Sequence, residues 1–413
     1  MLPRVAVIGG GLTGSLCALS LVSRGLQPVV FDAGRGLGGR STAAHFLTTA
    51  DPHLSAVLST LAQNKLVAPW AGRFGIVGSR GGFLAAQHVA SGLGGRSLSS
   101  DPEDVSSTLP QAPIDEGDFC GFLAASSPSN KAASPLHCAV GGGRSLAEGI
   151  CELGGIDVRS SSKVTSLQLD PASSRWTVRA SSGSPAPEAL EFDAVVIASH
   201  DPSFAASAIA DLPAEHPSLA DDVVRSTLAD LAKALRDLRE EATSPVFTLK
   251  AVYPPNSLAA VPFDAACLPT NPSIQFLARE ASKPGGGASS PDGDAWTAVS
   301  TSGFASALLA NSPSSPTDAA AALLAPSLQS AFAAFYPVPG IAPAPLSVSA
   351  KRWGAGFTTK PLVPGGAEKF VGLQPFNLAI AGDFVAGGTC PGEAGAISGL
   401  LAGERVATWL SAN

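Results

Sequence analysis

The sequence predicts an α/β protein in which a doubly wound parallel sheet carries a second, inserted domain of mixed α+β structure. Three observations support this class. A buried strand leads through glycines into an apolar helix at the start of the chain, and buried strands of the same kind return at Phe192–Ser199 and Leu378–Phe384. Between these strands the pattern changes to amphipathic and alternating segments. With 413 residues, the chain is long enough for two cores.

The first βαβ unit lies at the start of the chain. Val5–Ile8 predicts a buried strand, and a helix follows from Leu12 to about Arg24, where Gly25 supplies the C-terminal stop. Pro28–Asp32 is a second apolar, β-branched strand. This order is typical of a Rossmann-like nucleotide-binding domain.

The interior of the chain predicts further elements of both domains. A glycine turn followed by a helix is expected at 137–155, a hairpin at 163–170 and 175–180, strands at 246–253, 273–278 and 296–301, and a closing helix at 396–410. At 220–242, apolar side chains recur at helical spacing opposite charged ones: Val224, Leu228, Leu231, Leu235 and Leu238. We expect this helix to pack on a core, and the less favoured alternative is a partner-binding helix.

Four stretches rich in Ser, Pro, Ala and Gly predict surface loops, because such composition buries too little apolar surface to order itself. They are Ser97–Ser134, Ser181–Pro187, Lys283–Asp294 and Asn311–Pro326. The nucleotide-binding domain is therefore expected to combine residues 1–70, 135–205 and 366–413. The inserted substrate domain is expected to combine residues 71–134, with their loops, and 206–365.

Composition excludes several classes of protein. The net charge is -7 with no basic block, so neither nucleic acid nor a membrane surface is an expected partner. No apolar run reaches the ~20 residues of a membrane helix. Arg4 directly precedes the first strand, so we expect no presequence and a cytoplasmic protein, or an organellar one if the start is trimmed.

Cysteine and histidine spacing predicts free thiols and no metal site. The cysteines form no CxxC pair: Cys17, Cys120, Cys138, Cys151, Cys267 and Cys390. The nearest pair of histidines, His45 and His53, lacks the spacing of metal ligands.

The glycine cluster after the first strand has the spacing of a dinucleotide-binding turn. Gly9 permits a tight turn, Gly11 lets the backbone approach a diphosphate, and Gly14 allows close packing of helix on strand. The helix N-terminus offers N–H groups to the phosphates. Asp32, at the end of the second strand, is placed to accept hydrogen bonds from a ribose diol and to repel a 2′-phosphate, which disfavours NADP.

Two more segments identify the dinucleotide. "GRGLGGR" (Gly34–Arg40) resembles the second glycine motif of FAD-dependent amine oxidases, with Arg40 as a planar fork for a phosphate. "AIAGDF" ends a buried strand in Gly382 and Asp383, and a helix follows. In flavoproteins of this type the aspartate bonds the ribityl chain or diphosphate, and the helix N-terminus faces the flavin.

With these motifs in order, the chain from about Arg4 to Trp409 resembles the renalase-like flavoproteins of the flavin amine oxidase superfamily. The matching interior segments include Asp51–Trp70, Asn271–Glu280 and Lys351–Phe357. The resemblance implies a p-hydroxybenzoate-hydroxylase-like fold and non-covalent FAD. It also implies oxidation of aberrant NAD(P)H isomers by direct hydride transfer to flavin N5, with oxygen as acceptor and hydrogen peroxide as product.

The motifs and the resemblance together imply a set of cofactor contacts. These are Gly9, Gly11, Leu12, Thr13, Gly14, Asp32, Ala33, Gly38, Gly39, Arg40, Val164, Gly382, Asp383, Glu393, Ala394, Ala396 and Ile397. Trp70, His200 and Trp353 are candidates to face a small-molecule substrate, although packing roles explain them equally well. No residue is nominated as a general base, because hydride transfer needs mainly placement and exclusion of water.

Two departures from the family keep other functions open. A strand that normally follows the second glycine motif is absent between Arg40 and His45, and Gly354 stands where an arginine is common. Cys390 lies on the wrong side of the Gly-Asp element to link a flavin covalently. A flavin amine oxidase acting on small amines, and a degenerate FAD-binding protein without oxidase activity, therefore remain alternatives. The sequence does not predict the oligomeric state.

Overall fold

The computed structural model describes residues 2–42, 46–47, 51–78, 83–85, 136–182, 188–286, 293–311, 313–336, 342–358, 360–362, 368–387 and 391–412. The strands are β1 Arg4–Ile8, β2 Gln27–Phe31, β3 Val67–Pro69, β4 Phe74–Val77, β5 Phe83–Ala85, β6 His137–Ala139, β7 Asp157–Arg159, β8 Lys163–Leu169, β9 Trp176–Ser181, β10 Glu188–Phe192, β11 Ala194–Ile197, β12 Thr243–Tyr253, β13 Ala265–Cys267, β14 Ile274–Arg279, β15 Asp294–Ser300, β16 Ser347–Thr358, β17 Phe370–Leu373 and β18 Leu378–Ala381. The helices are α1 Leu12–Val22, α2 Pro52–Gln63, α3 Gly143–Leu153, α4 Pro202–Ala210, α5 Asp222–Glu241, α6 Ser302–Ala310, α7 Pro316–Ala333, α8 Asp383–Ala386 and α9 Pro391–Ser411.

The first sheet confirms the predicted doubly wound core. Its six strands run in the order β17-β18-β11-β1-β2-β7, and all neighbours are parallel except β17 and β18. The strands β1, β11 and β18 are apolar and buried on both faces, as parallel strands covered by helices must be. The predicted strands at Val5–Ile8, Pro28–Asp32, Phe192–Ser199 and Leu378–Phe384 all belong to this sheet or border it.

A smaller antiparallel sheet, β10-β9-β8, contains the predicted hairpin. The helix α5 has the predicted amphipathic pattern, and its buried side chains Leu228, Leu235 and Leu238 join the core formed around the first sheet. The core-packing interpretation of this helix is therefore confirmed. The domain boundaries stay a prediction, although the buried side chains of α5 belong to the same core cluster as the first sheet and the expected division assigned this helix to the second domain.

The second sheet has seven strands in the order β16-β12-β15-β14-β13-β4-β5. The predicted strands at 246–253, 273–278 and 296–301 are its members β12, β14 and β15. Helices α6 and α7 cover one face, where Tyr253, Trp296 and Phe332 pack edge to face with ring centroids 4.8 to 5.7 Å apart. The mixed α+β character expected of the inserted domain is confirmed.

The prediction of a surface loop at Asn311–Pro326 was wrong, since α7 occupies residues from Pro316 onward. Proline at the first helical position costs no hydrogen bond, and alanines favour the helix. Leu324, Leu328 and Phe332 recur at intervals of four and are fully buried against the second sheet. The abundance of proline and serine concealed this helical period.

The prediction of a surface loop at Lys283–Asp294 was wrong at both of its ends. The Lys283 side chain is 9% exposed and Asp294, the first residue of β15, is buried. Both acquire an ion-pair partner, Glu280 for Lys283 and Arg279 for Asp294. Several of the predictions fall outside the described residues. They are the interior of this stretch, the loop at 97–134, most of the loop at 181–187, and His45, Cys120 and Cys390.

Cys17 and Cys151 are buried free thiols, as predicted. Burial raises the pKa of Cys17 and of Cys138 to about 12 and that of Cys151 to about 11. Within the described ranges, no three His, Cys, Asp or Glu residues gather where they could hold a metal ion. None of the helices there is both long and apolar enough to cross a membrane.

Candidate cofactor-binding site

A cavity of about 560 Å³ opens at the carboxyl ends of β1, β2, β11 and β18, where doubly wound sheets bind their ligands. Its walls come from distant parts of the chain: the β1–α1 turn, the segment after β2, the start of β8, the loop after β11, the end of β16 and the start of α9. The geometry therefore brings the three predicted cofactor motifs to one place.

The β1–α1 turn has the shape that its glycines predict. Gly9 has a φ of +114° and its N–H donates to the carbonyl oxygen of Phe31 at 2.8 Å. A Cβ on Gly14 would lie 1.8 Å from the carbonyl oxygen of Gly9, so only glycine lets α1 approach β1 this closely. A Cβ on Gly11 would meet nothing nearer than 4.0 Å, because Gly11 faces the cavity.

Asp32 holds the two glycine segments together. Its Oδ2 accepts the N–H of Gly10 at 2.7 Å, and its Oδ1 accepts the N–H of Gly34 at 2.7 Å. Each oxygen retains a lone pair that can accept a hydroxyl from a ribose. Asp32 also lines the cavity, and its contact with a ribose stays a prediction.

The second glycine segment folds back over the first. The Gly38 N–H donates to the carbonyl oxygen of Gly10 at 2.9 Å, and Gly38 forms a β-bridge with Gly11. Gly38 has a φ of +104°, and a Cβ there would lie 3.0 Å from the carbonyl oxygen of Gly143 at the start of α3. Glycine is therefore required at this position by both conformation and contact.

Arg40 and Asp383 meet across the cavity although 343 residues separate them. Nη1 and Nη2 of Arg40 donate to the two carboxylate oxygens of Asp383 at 2.9 and 2.5 Å, and Nη1 also donates to the Gly356 carbonyl oxygen at 2.9 Å. The Arg40 guanidinium is therefore paired with a carboxylate in this structure. Its predicted contact with a phosphate stays a prediction and would use the remaining Nε and Nη2 hydrogens.

Two helix N-termini face the same cavity because α1 and α9 pack closely. A Cβ on Gly399 would lie 2.1 Å from the carbonyl oxygen of Thr13, and one on Gly403 would lie 2.6 Å from that of Cys17. Gly392 and Gly395, in the first turn or so of α9, line the cavity beside Thr13. Together the two ends present positive dipole ends to an anion.

His200 stands in the loop between β11 and α4 and lines the cavity. The His200 side chain is exposed to the cavity, and the walls of the cavity are protein. Burial, and then the neighbouring charge of Arg40, lower the pKa of His200 below its ordinary value, while Asp201 and Asp383 oppose the shift.

The cavity contains most of the predicted cofactor residues. They are Gly9, Gly11, Leu12, Thr13, Asp32, Ala33, Gly38, Gly39, Arg40, Val164, Gly382 and Asp383. Gly14 packs beneath the turn, and Glu393, Ala394, Ala396 and Ile397 do not line the cavity. Ala396 and Ile397 pack in a core with Leu12 and Leu16, so a contact between their side chains and a cofactor stays a prediction.

The two candidate tryptophans lie next to the cavity rather than in its wall. Trp70 is 3% exposed and donates its Nε1–H to Ser282 Oγ at 3.1 Å. Trp353 is half-buried and donates to Thr248 Oγ1 at 3.1 Å. Both belong to an apolar cluster that contains Phe357, which does line the cavity.

Several lining residues were not predicted from the sequence. They include Ser162, Lys163, Ser199, Asp201, Ser203, Phe204, Ser207, Gly356, Gly392 and Gly395. Ser203 and Ser207 share one face of α4 at a spacing of four, a signal that the sequence offered. The others come from strands, loops and helices that only the tertiary structure brings together.

Comparisons with known proteins agree with the fold. Residues 7–62 match a family model described as an NAD(P)-binding Rossmann-like domain. The chain is similar to a doubly substituted putrescine oxidase at 14% identity, covering all of both chains with a TM-score of 0.59. It is similar to the cyclohexylamine oxidase of Brevibacterium oxydans at 17% identity, again covering all of both, with a TM-score of 0.57.

A p-nitrophenol 4-monooxygenase of Pseudomonas putida also shares the fold, at 14% identity and a TM-score of 0.51, over the whole chain and 80% of that protein. No curated protein sequence matches this chain significantly. The predicted fold, a Rossmann-like domain with an inserted mixed domain, is confirmed.

Proposed function

We propose that the protein is a renalase-like FAD-dependent oxidase that takes hydride from a dihydronicotinamide or a similar small donor. One observation carries the cofactor assignment. Both glycine segments, Asp32 and the Gly382–Asp383 turn border one cavity with two helix N-termini. A diphosphate and two ribose-like chains need this combination of close backbone, acceptor carboxylates and positive dipole ends.

The residues present fit FAD. The turn at Gly9–Gly14 and the start of α9 would hold the diphosphate, and Asp32 would accept the ribose hydroxyls. The cavity that these residues share is also lined by Val164, Ser203, Ser207, Gly382, Asp383 and Phe357. When bound, FAD supplies a two-electron acceptor that oxygen can reoxidise to give hydrogen peroxide.

The lack of an acid–base pair supports a hydride donor over a substrate that must first lose a proton. Of the described residues that line the cavity, Asp32 accepts backbone N–H groups, Asp383 is paired with Arg40, and Asp201 accepts the Ser203 N–H. Burial lowers the pKa of His200 below its ordinary value. The protein's contribution is then to place the donor and exclude water. The apolar cluster around Trp70 and Phe357 suits both tasks.

The test is anaerobic reduction of the FAD-loaded protein by a mixture of reduced NAD(P) isomers, followed in the visible spectrum. We expect the flavin bands to bleach with at least one isomer and to return in air with one peroxide per donor. Failure of every isomer would exclude this donor class. A protein that binds FAD, accepts electrons from dithionite and ignores all donors would be the FAD-binding protein without oxidase activity.

An amine oxidase is the second candidate, since the solved chains that share the fold include two oxidases named for amines. The tyrosines weigh against an aromatic cage of the usual kind. Tyr253 is fully buried in the core of the second domain, and the Tyr336 hydroxyl donates to the Ser257 carbonyl oxygen. Peroxide release from a panel of monoamines and diamines would favour this candidate, and its absence would reject it.

A further inference from the structure

We propose that His200 binds the diphosphate of the cofactor as an imidazolium and takes up one proton from solvent when the cofactor binds. The inference rests on the proposed function, because it requires an anionic dinucleotide in the cavity. It changes the interpretation of His200 from a substrate candidate to a cofactor ligand.

The position of the loop after β11 is the first argument. A Cβ on Gly9 would lie 2.7 Å from the carbonyl oxygen of Ala198, so this loop touches the turn that receives the diphosphate. His200 follows two residues later and lines the same cavity as Gly9, Gly11 and Arg40. The imidazole is therefore close to the phosphate-binding turn and open to the cavity.

The surrounding charges are the second argument. The charged groups that face His200 are Arg40 at the end of the second glycine segment, Asp383 at the start of α8, Arg239 at the end of α5 and the adjacent Asp201. Each carboxylate already has an arginine: Asp383 pairs with Arg40, and Asp201 Oδ1 lies 3.6 Å from Arg239 Nε. Within the described ranges, no carboxylate forms an ion pair with His200.

The protein groups around His200 therefore favour a neutral imidazole. Burial and Arg40 lower the pKa of His200 from its ordinary 6.5, and this shift favours the uncharged ring. A diphosphate adds two negative charges beside it and reverses this balance. The imidazolium then formed donates an N–H to a phosphate oxygen, and the added proton comes from the buffer.

The sign of the pH dependence follows from linkage. A group whose pKa is higher in the complex strengthens binding as pH falls through the pKa of the complex, and the gain ends below the pKa of the free protein. For one group, the Kd for FAD decreases at most about tenfold per pH unit. We expect a three- to tenfold tighter Kd at about pH 6 than at about pH 8.

The experiment measures the FAD affinity of the whole chain between about pH 5.5 and 8, by quenching of flavin fluorescence. It compares the wild type with His200→Asn and with His53→Asn. The His200→Asn variant keeps a polar group without a titrating ring. His53 is exposed in the first turn of α2, away from the cavity, and serves as the matched control. Calorimetry in two buffers of different ionisation enthalpy counts the protons taken up.

We expect the wild type and His53→Asn to bind FAD more tightly at low pH with proton uptake. His200→Asn should bind with a Kd that does not change over this range and without that uptake. Equal pH dependence in all three proteins would overturn the role of His200. Absence of FAD binding by every protein at every pH would instead overturn the proposed function, and this inference with it.

Discussion

Two shielded ion pairs show how differently the two halves of the molecule are built. Arg40 and Asp383 join residues 343 apart, and their side chains are 23% and 7% exposed. Glu280 and Lys283 are three residues apart, and their side chains are 11% and 9% exposed. Both pairs have short contacts, but the first borders the cofactor cavity and the second lies beneath Trp70.

The Glu280–Lys283 pair finds its hydrogen-bond partners within the protein. Glu280 Oε1 accepts from Lys283 Nζ and from Thr297 Oγ1, each at 2.7 Å, and Lys283 Nζ lies 5.7 Å from the centre of the Trp70 ring. In the Arg40–Asp383 pair, Arg40 keeps N–H donors at Nε and Nη2 that no acceptor among the described residues uses, and the cavity lies beside them. A local pair thus stabilises a turn of the second domain, whereas the distant pair ties both ends of the chain to the cofactor site.

The largest loss of FAD binding should come from substituting Gly14, because a side chain at this position has no space. In Gly14→Ala, the added Cβ would meet the Gly9 carbonyl oxygen, so the β1–α1 turn must open. We expect the FAD content of the purified protein to fall at least about tenfold. In the second domain, Gly303→Ala adds a Cβ with nothing within 4 Å and is the matched control. Normal FAD content in Gly14→Ala would contradict the close packing of this turn.

The next effect should separate stability from cofactor binding. Lys283→Met leaves the buried Glu280 carboxylate without its cation, so the free energy of unfolding should fall by about 3 kcal/mol. The FAD affinity of the folded protein should not change, because neither residue lines the cavity. Adding Glu280→Leu removes the unpaired charge and should restore most of the stability. Urea unfolding and FAD titration measure the two quantities, and a large loss of FAD affinity would contradict the comparison.

Substituting Asp383 should lower the free energy of unfolding less than Lys283→Met does, but it should weaken FAD binding. Asp383→Asn keeps the size of the side chain and removes the charge that holds the Arg40 fork. We expect FAD binding to weaken by about 2 kcal/mol, or about thirtyfold in Kd. Glu404→Gln is the control, because its ion pair with Arg24 joins residues 380 apart but both side chains are exposed. Equal losses of FAD affinity in the two variants would show that the effect of Asp383 does not come from its position at the cavity.

The parts of the molecule predicted correctly are those with a local signal. The turn at Gly9–Gly14 and the position of Asp32 follow from a strand, a glycine spacing and a second strand within about thirty residues. The helix at Pro316 was missed although its signal is equally local. Its proline and serine content, typical of a loop, hides the helical spacing of Leu324, Leu328 and Phe332.

The pairing of Arg40 with Asp383 had no such signal. Each residue was predicted to contact the cofactor, and no property of either segment indicates that their side chains meet. Trp70 is a similar case, because an aromatic residue after a short strand can equally line a cavity or fill a core. Its hydrogen bond to Ser282 decides for the core, and Ser282 is 212 residues away.

The sequence by itself determined where the chain can approach a diphosphate, because a tight turn and close helix packing restrict single positions to glycine. It also determined the fold class, because buried parallel strands are apolar on both faces wherever they occur. Only the tertiary structure decided which charges face one another around the cavity. Those contacts depend on the order of strands in the sheet, and that order places Arg40, His200 and Asp383 side by side from three separate parts of the chain.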